Sequence, residues 1–113
     1  MKAIRNKVQL IGHLGQAPEI RTFGNGKKLA NLSIATSETY KNAKGEKVTD
    51  TQWHQVVLWG KLADLAEKYL TKGIEVAIEG RLVNKNYTDK QGIKRYSTEV
   101  HASDMLILRS ADG

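Results

Sequence analysis

Two tryptophans, Trp53 and Trp59, are the side chains of this sequence best suited to hold a flat, apolar ligand. They lie in Thr51–Gly60, a run of β-branched and aromatic residues that is typical of a strand. Because side chains alternate along a strand, both indoles share one face with Gln55 and Val57 and stand about 20 Å apart. The spacing therefore predicts two aromatic contact points on a single strand face.

The opposite face of that strand carries Val56 and Leu58, which can supply a hydrophobic core without the indoles. The two tryptophans must then be covered by something other than this core, and two interpretations remain. One is protein, as a second sheet or a subunit interface. The other is a partner with flat apolar faces, and unpaired nucleic-acid bases are such a partner.

The composition restricts the class of protein. A length of 113 residues suits one domain, and the lack of cysteine excludes disulfides and thiolate metal sites. The 18 Lys and Arg against 12 Asp and Glu give a net charge of +6 and favour a polyanionic partner. Met1–Lys7 lacks the apolar region of a signal peptide, and no apolar run reaches the length of a membrane span. We therefore expect a cytoplasmic protein, and one associated with the nucleoid if its polyanionic partner is DNA.

Hydrophobic patterning predicts strands with one helix among them. The predicted strands are Asn6–Leu14, Glu19–Thr22, Leu29–Tyr40, Thr51–Gly60, Glu75–Tyr87 and Lys94–Ala102, with a last apolar segment at Met105–Leu108. Lys61–Leu70 is the predicted helix, Phe23–Lys27 a hairpin loop and Lys41–Asp50 a charged, flexible loop. Gly12 and Gly80 interrupt strands and predict bends.

Five long strands with a helix between the third and the fourth follow the order of an OB-fold. We therefore predict an all-β protein, a five-stranded Greek-key barrel with one α-helix. Residues 1–108 are expected to form this domain, and residues 109–113 a short C-terminal stub.

Segments spread along the chain resemble the bacterial single-stranded DNA-binding protein family, SSB. They include Asn6-Lys7-Val8, Pro18-Glu19-Ile20-Arg21, Ala35-Thr36-Ser37-Glu38, Trp53-His54, Gly60-Lys61-Leu62-Ala63, Glu79-Gly80-Arg81-Leu82 and Tyr87-Thr88-Asp89. Each segment alone is a weak signal, but their joint order and spacing is specific. The resemblance implies a homotetramer of OB-folds that binds single-stranded DNA during replication, repair and recombination.

The same resemblance implies the site residues. Stacking on bases is implied for Tyr40, Trp53, Trp59 and Tyr87. Phosphate contacts are implied for Lys7, Arg21, Lys61, Lys72, Lys85 and Arg95. Arg81 joins the cations because it shares the predicted outward face of Tyr87 and Lys85. Strict alternation turns Tyr40 inward with Ile34, so its exposure would need a bend after Thr36.

Two positions depart from the family pattern. Gln55 stands where a basic residue is common, which puts one phosphate contact in doubt. The chain stops at Gly113, before the Gly- and Pro-rich linker and acidic tip with which the family recruits partner enzymes. Recruitment of such enzymes is therefore expected only if the full-length protein has that tail.

No metal, cofactor or catalytic activity is expected. The histidines show no metal-ligand spacing, and the carboxylates do not gather on one strand as a nuclease would need. His54 points away from the indoles, so we expect a packed, hydrogen-bonded side chain near a subunit contact. The alternatives are a nuclease on the same barrel, an RNA or duplex binder, and a protein-interaction module.

Overall fold

The computed structural model describes residues 4–110. The elements are β1 Val8–Leu14, β2 Glu19–Thr22, β3 Lys28–Lys41, β4 Lys47–Trp59, α1 Lys61–Tyr69, β5 Glu75–Thr88 and β6 Lys94–Arg109. The strands form one sheet in the order β1-β5-β6-β4-β3-β2, and β1 also pairs with β3. This second pairing closes the five long strands into a barrel, so the predicted OB-fold is confirmed.

The barrel interior is filled by side chains from alternate positions of its strands. Those with at most 2% exposure include Leu32, Ile34, Val56, Leu58, Val76 and Ile78. Helix α1 adds Ala63 and Ala66, which are fully buried. Burial of each large aliphatic side chain stabilises the fold by about 1.5–3 kcal/mol. The sequence placed Val56 and Leu58 in this core correctly.

Near Gly12, strand β1 changes its pairing partner from β5 to β3. The strand pairs with β5 as far as His13, and His13 and Leu14 then pair with Ala35 and Ile34 of β3. A Cβ atom on Gly12 would lie 2.1 Å from the carbonyl oxygen of Ala35. Only glycine lets the two backbones approach this closely, which explains the interruption seen in the sequence.

The predicted flexible loop at Lys41–Asp50 is wrong. The β3–β4 ladder continues without a register shift to the end of both strands. Only 42–46 remains as a turn, in which Asn42 Oδ1 accepts the backbone N–H groups of Lys44 and Glu46 at 2.9 and 3.0 Å. Local charge therefore misled the prediction, because cross-strand pairing decides the structure here.

Strand β6 joins two segments that the sequence kept apart. The register shifts between Glu79 and Gly80 of β5, and Ser103 is the extra residue on β6. Such a bulge reverses the alternation of side chains. Val100 and Met105 therefore both face the core, with 3% and 9% exposure.

The outer halves of the β3–β4 and β5–β6 hairpins extend past the core. Leu82 was predicted to face inward, and this prediction is wrong, since its side chain is 45% exposed. Its position in the alternation is right, since it pairs with the buried Val100, but its own side chain is not covered at this edge of the core. Within residues 4–110, no helix has the length and apolarity that a membrane crossing requires.

Candidate nucleic-acid interface

The sheet register extends the face of the two tryptophans onto a neighbouring strand. Trp53 lies opposite Ala35 on β3, and Trp59 lies opposite Leu29. On its other side β4 runs parallel to β6, with Val57 beside His101. Because directly paired residues share a face, the tryptophan face continues onto His101 of β6.

Strand β6 carries this face on to β5. Arg81 lies opposite His101, and Tyr87 lies opposite Arg95. Lys85 is four residues from Arg81 and so shares its face. We name this surface the outer sheet face, defined by Trp53, Gln55, Trp59, Arg81, Lys85, Tyr87 and Arg95. Six of the eleven residues predicted from the sequence are thus brought together.

The aromatic rings of the outer sheet face are uncovered within one chain. Trp53 is 59% exposed, Trp59 41% and Tyr87 57%. Val57, which lies between the two tryptophans in sequence and on the same face, is by contrast only 3% exposed. No second sheet of this chain covers the indoles in residues 4–110, so the remaining covers are another chain or a ligand.

Trp53 packs against the turn that follows β1. A Cβ atom on Gly15 would stand 2.4 Å from Cζ3 of the indole, so the ring packs directly on glycine. The turn is fixed because the N–H of Gly15 donates to the carbonyl oxygen of Ser33 at 3.0 Å. The outer edge of the indole is therefore supported by this turn, and the exposed remainder of the ring is free to contact a base.

Tyr40 lies on the opposite face of the β3–β4 ladder from Trp53. It pairs with Val48, with no register shift between Thr36 and Tyr40. Tyr40 keeps the alternation of Ile34, yet its side chain is 52% exposed because the hairpin extends past the core at this point. No bulge is needed for this exposure. A role of Tyr40 in stacking stays a prediction that depends on the hairpin twist.

Phe23 was missed by the sequence reasoning. Its ring stacks on Trp59, with centroids 6.1 Å apart and planes inclined by 20°. Phe23 begins the β2–β3 hairpin loop and is 44% exposed. The available signal was an aromatic residue directly beside an Asn-Gly turn, but nothing local to it indicates contact with Trp59.

Most of the remaining cations surround Trp59. Arg21 pairs with Leu29, which pairs with Trp59, so all three share one face. Lys7 and Arg81 line one depression together with Trp59. Lys61 begins α1 directly after this strand. Lys72 lies between α1 and β5, and no strand pairing brings it to the outer sheet face.

Four of the predicted phosphate ligands already have a carboxylate within 4 Å. The pairs are Lys7–Glu79 at 3.5 Å, Arg21–Glu19 at 3.8 Å, Lys85–Glu99 at 3.3 Å and Arg95–Asp89 at 3.0 Å. All four cations are exposed, and such surface pairs contribute about 0–1 kcal/mol. A phosphate can therefore replace the carboxylate at low cost.

Glu99 is the carboxylate that pairs with Lys85. Its Oε1 accepts a hydrogen bond from His101 Nε2 at 3.1 Å and lies 3.3 Å from Lys85 Nζ. Burial raises the pKa of Glu99, but the hydrogen bonds from His101 and Lys85 bring this pKa below its ordinary value. The carboxylate is thus ionised at neutral pH and competes with a phosphate for Lys85.

Glu99→Gln should therefore strengthen binding of single-stranded oligonucleotides. Release of Lys85, whose side chain is 55% exposed, from this pair corresponds to about a twofold to fivefold higher affinity. The measurement is a titration at fixed salt. Glu38→Gln is the control, because it removes an equal charge from β3 on the face opposite to that of Trp53. An equal gain in both variants would mean that only net charge matters.

Asp89 organises the tip of the β5–β6 hairpin. Its Oδ1 accepts the N–H groups of Gln91 and Ile93 at 2.9 Å each, and its Oδ2 accepts from Arg95 Nε at 3.0 Å. The hydrogen bond from Ile93 is the main cause that lowers the pKa of Asp89 below its ordinary 3.8. The carboxylate thereby fixes the backbone beside Tyr87.

We expect the Asp89 carboxyl to titrate below 3.8 in the folded protein. A lowered folded pKa means that its stabilising effect is complete above the unfolded pKa and is lost as the pH falls through the folded pKa. A ¹³C NMR titration of the folded chain measures the first of these two pKa values, and the same titration of the urea-unfolded chain measures the second. Equal midpoints in the two states would contradict the hydrogen-bonded tip.

The predicted hydrogen bond of His54 is confirmed. Its Nε2 lies 2.9 Å from Thr36 Oγ1, on the face of β4 opposite the tryptophans. Its proximity to a subunit contact stays a prediction. In the part of the chain that the structure describes, no group of three or more His, Cys, Asp or Glu side chains is arranged to hold a metal ion.

An OB-fold with an exposed aromatic and basic sheet face is the architecture of proteins that bind single strands of nucleic acid. A model of the single-strand binding protein family matches residues 5–108. "Single-stranded DNA-binding protein 1" of Chlorobaculum tepidum is 47% identical over 108 residues, which cover 95% of this chain and 67% of that protein. The chain therefore belongs to the single-strand binding protein family, as the sequence segments indicated.

Solved structures agree with this assignment. The chain superposes with a TM-score of 0.85 on Plasmodium falciparum SSB in complex with ssDNA, at 32% identity, covering 91% of this chain and 94% of that one. A deletion mutant of the single-stranded DNA binding protein from Thermus aquaticus gives a TM-score of 0.81 at 28% identity. In that case 96% of this chain and 53% of that chain are covered.

Proposed function

We propose that the chain binds single-stranded DNA across the outer sheet face and protects it during replication, repair and recombination. The single observation that supports this most is the continuity of that face. Trp53, Trp59 and Tyr87 come from two hairpins, are all exposed, and share the face with Arg81, Lys85 and Arg95. Binding, rather than catalysis, is the function proposed.

Stacking and charge would contribute separately to this binding. Each base on an aromatic ring is worth about 1–3 kcal/mol and needs no particular sequence, since every base has a π-face. Each neutralised phosphate of a single strand adds about −0.7 to the log–log salt slope, so occupation of all the proposed cations corresponds to a slope of about −5. Affinity should thus depend strongly on salt and weakly on base sequence.

A fluorescence titration tests the proposal. Oligo(dT) is added at two salt concentrations, and tryptophan emission is followed. Stacking should quench the emission, and higher salt should weaken the binding. A duplex and an RNA of equal length are the controls, because groove reading and stacking need different substrates. Unchanged emission with oligo(dT) would contradict base stacking and favour a protein partner for the indoles.

We also propose that the chain assembles as a homotetramer. An apolar row crosses the sheet on a different part of the barrel surface, where Ile11 pairs with Ala77 and Ala77 with Leu106. Ile11 is 62% and Leu106 63% exposed in the single chain. A second copy of the chain is the occupant proposed for this row, in line with the assembly that the family resemblance implies.

Leu106→Glu should lower the mass of the assembly in solution, because a charge on the apolar row would have to be buried. Light scattering after gel filtration measures the mass. Leu65→Glu on α1, where the leucine is 41% exposed, is the matched control and should leave the mass unchanged. A wild-type chain that is monomeric at micromolar concentration would refute the assembly. Association with partner enzymes is proposed only for a form that carries a C-terminal tail.

A further inference from the structure

The stacked pair of Phe23 and Trp59 makes an aromatic surface larger than either ring. Their centroids lie 6.1 Å apart and their planes differ by 20°, an offset-stacked arrangement. Each ring turns one side toward the other, yet Phe23 keeps 44% and Trp59 41% of its surface exposed. The pair is therefore open to further stacking.

The loop that carries Phe23 is held by its own hydrogen bonds. The N–H of Phe23 donates to the Lys27 carbonyl at 2.8 Å, and the N–H of Gly26 donates to the Phe23 carbonyl at 2.9 Å. Asn25 Oδ1 accepts from the N–H of Lys27 at 3.0 Å. A ring on a fixed loop loses little freedom when a ligand binds, which favours a binding role.

The surroundings of Phe23 are basic. Arg21 is two residues before it and shares a face with Trp59 through Leu29. The Arg21 guanidinium has Glu19 as an ionic partner at 3.8 Å, and its side chain is 66% exposed. A nucleotide stacked on Phe23 would therefore have a cation near enough to contact its phosphate.

We infer that Phe23 is a further base-stacking residue, which extends the path of the single strand from Trp59 over the β2–β3 hairpin. This inference rests on the proposed binding of single-stranded DNA at the outer sheet face. The competing interpretation is that Phe23 only packs against Trp59 as an apolar cover. The two differ in one respect, because a cover needs volume, whereas stacking needs a ring.

The test compares Phe23→Leu with Phe23→Tyr in a Trp53→Phe background, so that emission reports on Trp59. Leucine keeps an apolar side chain but removes the ring, and tyrosine keeps the ring. For oligo(dT), Phe23→Leu should weaken binding by about fivefold to 150-fold. Phe23→Tyr should stay within about twofold of the background protein. The salt slope should be the same in both, because no charge changes.

Thermal unfolding of each variant checks the fold, and Phe23→Tyr serves as the folded comparison if Phe23→Leu is destabilised. Binding by Phe23→Leu equal to that of the background protein would overturn the inference while leaving the proposed function intact. No binding and no quenching in the background protein and in the wild type would instead refute the proposed function itself.

Discussion

Trp53→Ala should lower the affinity for single-stranded DNA by about 1–3 kcal/mol, or roughly fivefold to 150-fold, with the fold retained. The indole is 59% exposed and rests on the backbone at Gly15, so it contributes little to the core. Its loss removes a π-face from the outer sheet face and changes no charge. The salt slope of binding should therefore stay constant while the affinity falls at every salt concentration.

Trp53→Phe is the matched control, since it keeps a ring at the same place. Oligo(dT) titrations followed by the emission of Trp59 give the affinities, and thermal unfolding shows whether each variant is folded. The phenylalanine variant should bind more tightly than the alanine variant. Unfolding of Trp53→Ala would show that Trp53 belongs to the core, and equal affinities of the two variants would exclude stacking at this position.

Gly12→Ala should destabilise the protein by about 3 kcal/mol or more, the largest effect on folding that we expect. The added Cβ would lie 2.1 Å from the carbonyl oxygen of Ala35 and 2.9 Å from Cγ2 of Ile34. The first of these contacts is with backbone, which cannot turn away. Strand β1 would have to separate from β3, and the closure of the barrel depends on that pairing.

Gly24→Ala is the control for this substitution. A Cβ on Gly24 meets nothing within 4 Å, and Gly24 is not one of the glycines with positive φ. Its free energy of unfolding should stay within about 0.5–1 kcal/mol of the wild type. Urea unfolding is measured at one fixed protein concentration, because assembly makes stability depend on concentration. Equal stability of the two variants would contradict the close approach of β1 and β3.

The loops were the least predictable part of the fold. The charge of Lys41–Asp50 predicts a flexible loop, yet half of this segment belongs to the β3–β4 ladder and the rest is a short turn. At the tips, Asn42 and Asp89 bind backbone N–H groups and fix the turns. Charge and polarity are similar in a free loop and in an exposed hairpin, so the sequence does not separate the two.

The break between Ala102 and Met105 has a comparable cause. Alternation along a strand is readable only while the register holds, and the bulge at Ser103 reverses it. Nothing in the local sequence marks that position, because the extra residue is defined by the partner strand β5. The alternation therefore predicts a strand at Lys94–Ala102 and a separate apolar segment at Met105–Leu108, where the fold has one strand.

The sequence by itself determined the strands of the barrel, the shared face of Trp53 and Trp59, the basic charge and the family, because these depend on local alternation, composition and ordered segments. Only the tertiary structure joined Tyr87 to the tryptophan face, through the parallel pairing of β4 with β6. It likewise set Phe23 on Trp59 and Glu99 beside Lys85. The first two arrangements bring separate hairpins together, and the third depends on the register between two strands, so no local sequence pattern predicts them.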